Sequence, residues 1–168
     1  ILNPTLVYQG GDINRIPIQI HEEYIKEVED LVKDLILRYE RDWDMREASW
    51  NFLCSPLLDR GPNIETAFHL WRLDATNSFF QMHNSEEELN RIFIDIYGLY
   101  EELVPEVSLR DITILQPELN GRGLEALEET FRNQGGQPID LPIDQDEIMR
   151  QFVSYCLGLM MGRYRLDK

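Results

Sequence analysis

The sequence predicts a mainly α protein, a multi-helix bundle-like domain with little or no β structure. Three observations predict it. Apolar residues recur at three- and four-residue steps in several long stretches, the period of a helix with one face in a core. Capping and stop signals bracket those stretches. β-branched runs are confined to residues 1–18 and 109–115, where any short strands would lie. With 168 residues, 43% hydrophobic and 10% aromatic, the chain is long enough for one compact core and too apolar for a disordered acidic tail.

The elements follow in order. After the turn cluster Gly10-Gly11-Asp12 and Ile16-Pro17-Ile18, the residues Ile25, Val28, Val32, Leu35, Ile36 and Tyr39 form an apolar stripe. Glu22, Glu23, Lys26, Glu29, Lys33 and Asp34 mostly face water, so a first helix is expected there. The aromatic stretch Trp43 to Phe52 follows, and Pro56 and Gly61-Pro62 end any regular element. A second helix over Ile64 to Phe80 turns Ile64, Ala67, Phe68, Trp71, Ala75 and Phe79 to one side.

Ser85-Glu86-Glu87-Glu88 has capping-box spacing and predicts a separate helix that buries Leu89, Ile92, Phe93 and Ile96, stopped by Gly98. Leu109 to Leu115 reads as one short strand. Residues 116–143 are rich in Gly, Pro, Gln and acid, a flexible acidic segment with a weak helix from Leu124 to Phe131. Asp144 with Glu147 opens a last helix through Met161, the most apolar of the chain. There is no internal repeat. Residues 1–18 read as the tail of a preceding region and 19–168 as the helical domain.

Charge narrows the function. The 31 acidic residues outnumber 16 Lys+Arg, for a net charge of −15, which excludes duplex binding that relies on this chain's own phosphate neutralisation. From Glu101 to Glu147 twelve acids face three arginines, Arg110, Arg122 and Arg132. That run reads as a solvated face, with a DNA-repelling or DNA-imitating surface as the alternative. Arg163, Arg165 and Lys168 make the concentrated basic patch. A helix C-terminus attracts such residues through its dipole, and phosphate contact is the functional reading. Cys54 and Cys156 are too few and too separated for a disulfide framework or a zinc site, so a reduced, cytosolic compartment is expected. The longest apolar stretch, Phe152 to Met161, is well under the roughly 20 residues of a membrane span. The openings at Ile1 and the close at Lys168 both read as cuts within a longer protein.

Short motifs supply no chemistry. Gly121-Arg122-Gly123-Leu124-Glu125-Ala126 matches a loose dinucleotide fingerprint, but Pro117 and Glu118 interrupt the strand it needs, and Glu125, Glu128 and Glu129 would repel phosphates. Asn3-Pro4-Thr5-Leu6 lacks the second proline and the stacking aromatic of the base-flipping Asn-Pro-Pro-aromatic motif. His21-Glu22-Glu23 has no second histidine, His69 and His83 have no partners at metal spacing, and Asp140, Asp144 and Asp146 lack the glycine of a calcium loop. Gly158 and Gly162 read as a close packing point inside the domain. No catalytic, cofactor-binding or metal residue is expected.

Longer strings carry a resemblance. Leu89-Asn90-Arg91-Ile92-Phe93-Ile94-Asp95-Ile96-Tyr97-Gly98-Leu99, followed by Glu102-Leu103-Val104-Pro105-Glu106-Val107, resembles a signature of the adenine-specific DNA methyltransferases of bacteriophage-exclusion (BREX) and related type IIG restriction-modification systems. Ser154 to Asp167 is similar to a second. Asp42-Trp43-Asp44 with Ser49-Trp50-Asn51-Phe52 and Pro56-Leu57 resembles a third, with Asn51 where the family tends to carry Asp. Leu2-Asn3-Pro4-Thr5 with Gln9, Gly11-Asp12-Ile13 and Ile16-Pro17 resembles the stretch these proteins place after their catalytic domain. Residues 116–143 are the main unmatched part.

The resemblance implies a bacterial, cytoplasmic enzyme of phage defence that moves a methyl group from S-adenosylmethionine to the exocyclic amine of adenine in DNA, after extruding the base. The family's cofactor-binding glycine loop and Asn-Pro-Pro-aromatic motif have no counterpart here. It therefore implies a non-catalytic C-terminal segment that binds no cofactor itself, a spacer whose partners are the catalytic and target-recognition parts of the same chain, with DNA reached through them and no membrane. The alternative is a stand-alone acidic interaction module or DNA mimic.

Overall fold

The computed structural model describes residues 17–165. They form α1 (Glu22–Asp44), α2 (Ile64–Tyr97), a 3-10 turn (Leu109–Asp111), α3 (Gly121–Asn133) and α4 (Gln145–Met160). Among the described residues there is no strand, and the β pairing is an isolated bridge between Leu119 and Ile143. The expected bundle-like α architecture is therefore present. The strand expected within 1–18 falls almost wholly outside the described residues.

α1 has Glu22 and Glu23 in its first turn and Arg41 in its last, charges that suit the helix dipole. It packs on α2, but through a narrower face than its stripe. Leu35 is buried, whereas Ile25, Val32, Ile36 and Tyr39 remain exposed. At about 100° per residue, Ile25, Val32 and Ile36 sit roughly a quarter-turn round from Leu35, beyond the reach of one neighbouring helix.

α2 is the spine, 34 residues long and so about 50 Å at 1.5 Å per residue. Asn63 caps it, its side chain accepting from the Thr66 N–H at 2.8 Å. Gly98 ends it at φ 65°, the left-handed conformation that a residue without Cβ adopts without strain. The capping box at Ser85 does not start a helix: α2 runs straight through it. No Gly or Pro breaks the stretch 80–85, and Met82 and His83 carry the buried stripe across it. The carboxylates serve tertiary contacts instead, Glu86 to Tyr39 and Glu87 to Arg132. Further along, Ile92 and Ile94 are buried while Phe93 is exposed, a correction to the expected face.

The strand expected over 109–115 is also corrected. Leu109–Asp111 is a 3-10 turn, with the Ser108 hydroxyl accepting from the Arg110 N–H. Leu109, Ile112, Ile114 and Leu115 all enter the core, which a two-faced strand achieves only inside a sheet. Among the described residues no neighbouring strand takes its backbone groups, and carboxylates take two of them. Glu128 accepts from the Leu109 N–H at 2.8 Å and Asp42 from the Leu115 N–H at 2.9 Å.

Within 116–143, Asn120 caps α3 by accepting from the Arg122 and Gly123 N–H groups. Leu124, Phe131 and Leu141 from this segment join the core. Phe131 stacks on Phe80 at 5.3 Å and meets the His83 ring edge-on at 5.0 Å. Asp144 caps α4, accepting from the Asp146 and Glu147 N–H groups, and Ile148, Tyr155 and Gly158 turn inward.

Two substitutions test this packing in chemical denaturation. Phe131→Ala is expected to lower stability by about 3–5 kcal/mol, because it opens a cavity against Phe80 and His83. Asn63→Ala is expected to cost about 1 kcal/mol through the lost cap.

Candidate functional site

Two buried ion-pair clusters fasten distant segments. Arg46, just past α1, sends Nη1 to the Asp42 carboxylate at 2.7 Å and its carbonyl at 2.7 Å. Its Nε and Nη2 form a fork on Glu118 at 3.0 and 2.7 Å. The Glu118 side chain has no exposure to water, and Gln151 of α4 donates to it at 2.9 Å. The Glu118 carbonyl accepts from the Asp144 N–H at the start of α4. The end of α1, the loop before α3 and α4 thus meet on one acid. Burial works against the Arg46 charge, but hydrogen bonds and charge from Glu118 and Asp42 outweigh it and raise its pKa.

The second cluster centres on Glu87 of α2. It accepts from Arg132 at 2.8 Å, from the Val107 N–H at 3.1 Å and from Arg91 at 3.3 Å. His83 Nε2 lies 2.8 Å from the Val107 carbonyl, which only accepts, so that nitrogen carries the proton. Burial pushes the Glu87 carboxyl up, yet the Arg132 and Val107 hydrogen bonds and the charges of His83 and Arg132 prevail and hold it below the usual carboxylate range. With their lone pairs committed to these donors, Glu87 and Glu118 are arranged for fastening rather than proton transfer.

An aromatic junction closes the end of α4. Phe52 meets Tyr155 and Tyr164 edge-on at 5.8 and 5.3 Å, and the two tyrosines stack at 5.4 Å. Gly158 permits this: a Cβ there would lie 2.5 Å from the Tyr164 ring. Gly162, at φ 74°, turns the chain back. Arg163 lies over Tyr164, 5.3 Å from the ring centre. A separate groove of about 550 Å³ is lined by Arg38, Arg41, Arg60, Trp71 and Asp74. Within it Arg38 pairs with Asp34 and Arg60 with Asp74.

Of the three candidate phosphate contacts, Arg163 and Arg165 are exposed just past α4, and Lys168 lies outside the described residues. Gly121-Arg122-Gly123 forms the first turn of α3. Asn120 occupies two of its N–H groups, and a Cβ at Gly123 would meet Pro142 at 2.7 Å. These residues do not fit a cofactor phosphate or the S-adenosylmethionine glycine loop. His83 is buried, Asp140 pairs with Arg72, and Cys54 and Cys156 are unlinked. Among the described residues no cluster of metal-binding side chains forms, and no helix is long and apolar enough to cross a membrane.

No protein-family model matches the chain. It is 31% identical over 173 residues to the adenine-specific methyltransferase PglX of Lacticaseibacillus casei (strain Zhang), covering 99% of this chain and 12% of that protein. It is 26% identical over 168 residues to the adenine-specific methyltransferase BrxX of Escherichia coli O9:H4 (strain HS), covering 100% of this chain and 13% of that protein. The chain matches one segment of the BREX-type adenine-specific methyltransferases. The similarity includes residues 116–143, which the resembling strings did not reach. Two of the strings that carried the resemblance meet in space where the Phe52 ring lies edge-on against both Tyr155 and Tyr164.

Sequence reasoning missed the two clusters. The Asp42–Arg46 spacing of four was visible, but Glu118, 72 positions from Arg46, carries no local sign of burial.

Arg46→Met is expected to destabilise the fold by about 3–5 kcal/mol, because Glu118 is left charged and buried; adding Glu118→Leu restores most of the loss. Unfolding titrations of the single and double variants measure it. Because the folded Glu87 carboxyl sits below its unfolded value of about 4.3, its stabilisation is present above that pH and is lost as pH falls through the folded value. Melting temperature should therefore drop on acidification below about pH 4, and Arg132→Met should flatten that acid limb.

Proposed function

We propose that residues 19–168 are a non-catalytic helical scaffold within an S-adenosylmethionine-dependent adenine-specific DNA methyltransferase of phage defence in the bacterial cytoplasm. Residues 1–18 are then the tail of a preceding region next to target recognition. The observation that carries the reading is the whole-chain similarity to a segment making up 12–13% of two adenine-specific methyltransferases. The chain spans about an eighth of the length of those relatives, so methyl transfer, cofactor and DNA belong to the larger protein.

The buried clusters on Glu118 and Glu87 support a mechanical role. Each fixes segments remote in sequence through charge-assisted hydrogen bonds that resist small displacements, which suits a part that holds catalytic and target-recognition modules at a set separation. The acidic surface would leave the duplex to basic modules elsewhere in the protein. Arg163, Arg165 and Lys168 are the candidate exceptions, as phosphate contacts at its edge.

Calorimetric titration of the 168-residue chain with S-adenosylmethionine should give no binding heat, whereas the full-length polypeptide binds it. Arg46→Met in that polypeptide should lower the rate of adenine methylation with cofactor affinity unchanged. Tight cofactor binding by the short chain, or methylation indifferent to an opened Arg46 cluster, would overturn the scaffold reading.

A further inference from the structure

α4 is apolar on two faces. Ile148, Tyr155 and Gly158 point into the domain. On the other side Val153 and Leu157 are more than half exposed, and Met160 and Met161 are 83% and 85% exposed. The spacing i, i+4, i+7, i+8 gathers these four on one stripe. Phe152 to Met161 contains no charged residue. Trp50 is fully exposed and Leu53 largely so. A helix apolar on both faces is one that is covered on both faces, and contiguous exposed apolar surface of this kind marks an interaction site.

The occupant follows from charge and length. A second copy would bring another −15 against this one, and like net charge opposes close association. DNA gains nothing from an uncharged stripe, since its affinity comes from neutralised phosphates. The matched segment is 12–13% of the related methyltransferases, so most of each such chain lies outside it and is held at high effective concentration by covalent linkage. We propose that Val153, Leu157, Met160 and Met161 form the seat for another segment of the same polypeptide. That segment presents an apolar face to the uncharged run from Phe152 to Met161, and Arg163 and Arg165 lie beyond the end of the stripe. This rests on the scaffold reading and names the surface through which the scaffold is gripped.

Methionine oxidation by hydrogen peroxide, followed by peptide mass spectrometry, tests it in the full-length polypeptide. In dilute, DNA-free solution Met160 and Met161 should oxidise at least about tenfold more slowly in the native protein than after unfolding in guanidinium. Leu157→Glu should return both to the unfolded rate with S-adenosylmethionine affinity unchanged. Equal native and unfolded rates in the wild type overturn the proposal, whatever the variant does. Protection that appears only on adding duplex DNA overturns it in favour of a nucleic-acid contact, and protection that grows with protein concentration in favour of a second copy. Unprotected methionines in a polypeptide that still methylates adenine sink the docking face alone. Cofactor binding by the 168-residue chain sinks the scaffold reading itself.

Discussion

Glu118 is withdrawn from water completely, and a carboxylate so placed must be matched by positive charge and hydrogen bonds or it drives the fold apart. Arg46 supplies both through a two-pronged fork, and Gln151 takes part of the remaining capacity. Because Arg46 is also held by Asp42, the acid is bound to the last turn of α1. Asp42 in turn accepts from the Leu115 N–H, which seats the 112–115 run in the core. The start of α4 hangs from the Glu118 carbonyl through Asp144. One desolvated charge thus sets the mutual position of three segments that share no sequence neighbourhood.

The long α2 gives that junction something to lean on. Trp71, Ala75, Phe79, Phe80 and Met82 line its buried side, and Phe131 of α3 reaches it through Phe80 and His83. The Glu87 cluster repeats the logic of the Glu118 cluster farther along the helix, tying α3 and the Val107 loop to the spine. The geometry of charge-assisted hydrogen bonds makes both clusters directional, unlike apolar packing, so the segments are oriented as well as held. The apolar sides left open, along α1 and α4, are what a part of a larger body presents to the rest of it.

Much of the helical content could be read from the residues. The stripe from Ala67 to Phe79, the stop at Gly98 and the cap at Asp144 all appear where local chemistry puts them, whereas Ile64, in the first turn, is exposed. The box at Ser85 had the right spacing but no break before it, so continuing α2 left no backbone donors in need of a cap. Leu109 to Leu115 had strand composition, yet strand pairing requires a partner, and the carboxylates of Asp42 and Glu128 replaced one. The basic end at Arg163 and Arg165 was legible as charge; its stacking on Tyr164 depended on Gly158 admitting the ring.

By itself the sequence determined which stretches coil, where two of them begin or stop, and which protein family the chain resembles. Those signals are complete within one or two helical turns or within a contiguous string of residues. Tertiary structure decided which side of each apolar stripe is covered and which acid meets which arginine. Burial is a property of what lies across the gap, and Arg46 finds Glu118 only after the chain between them has folded.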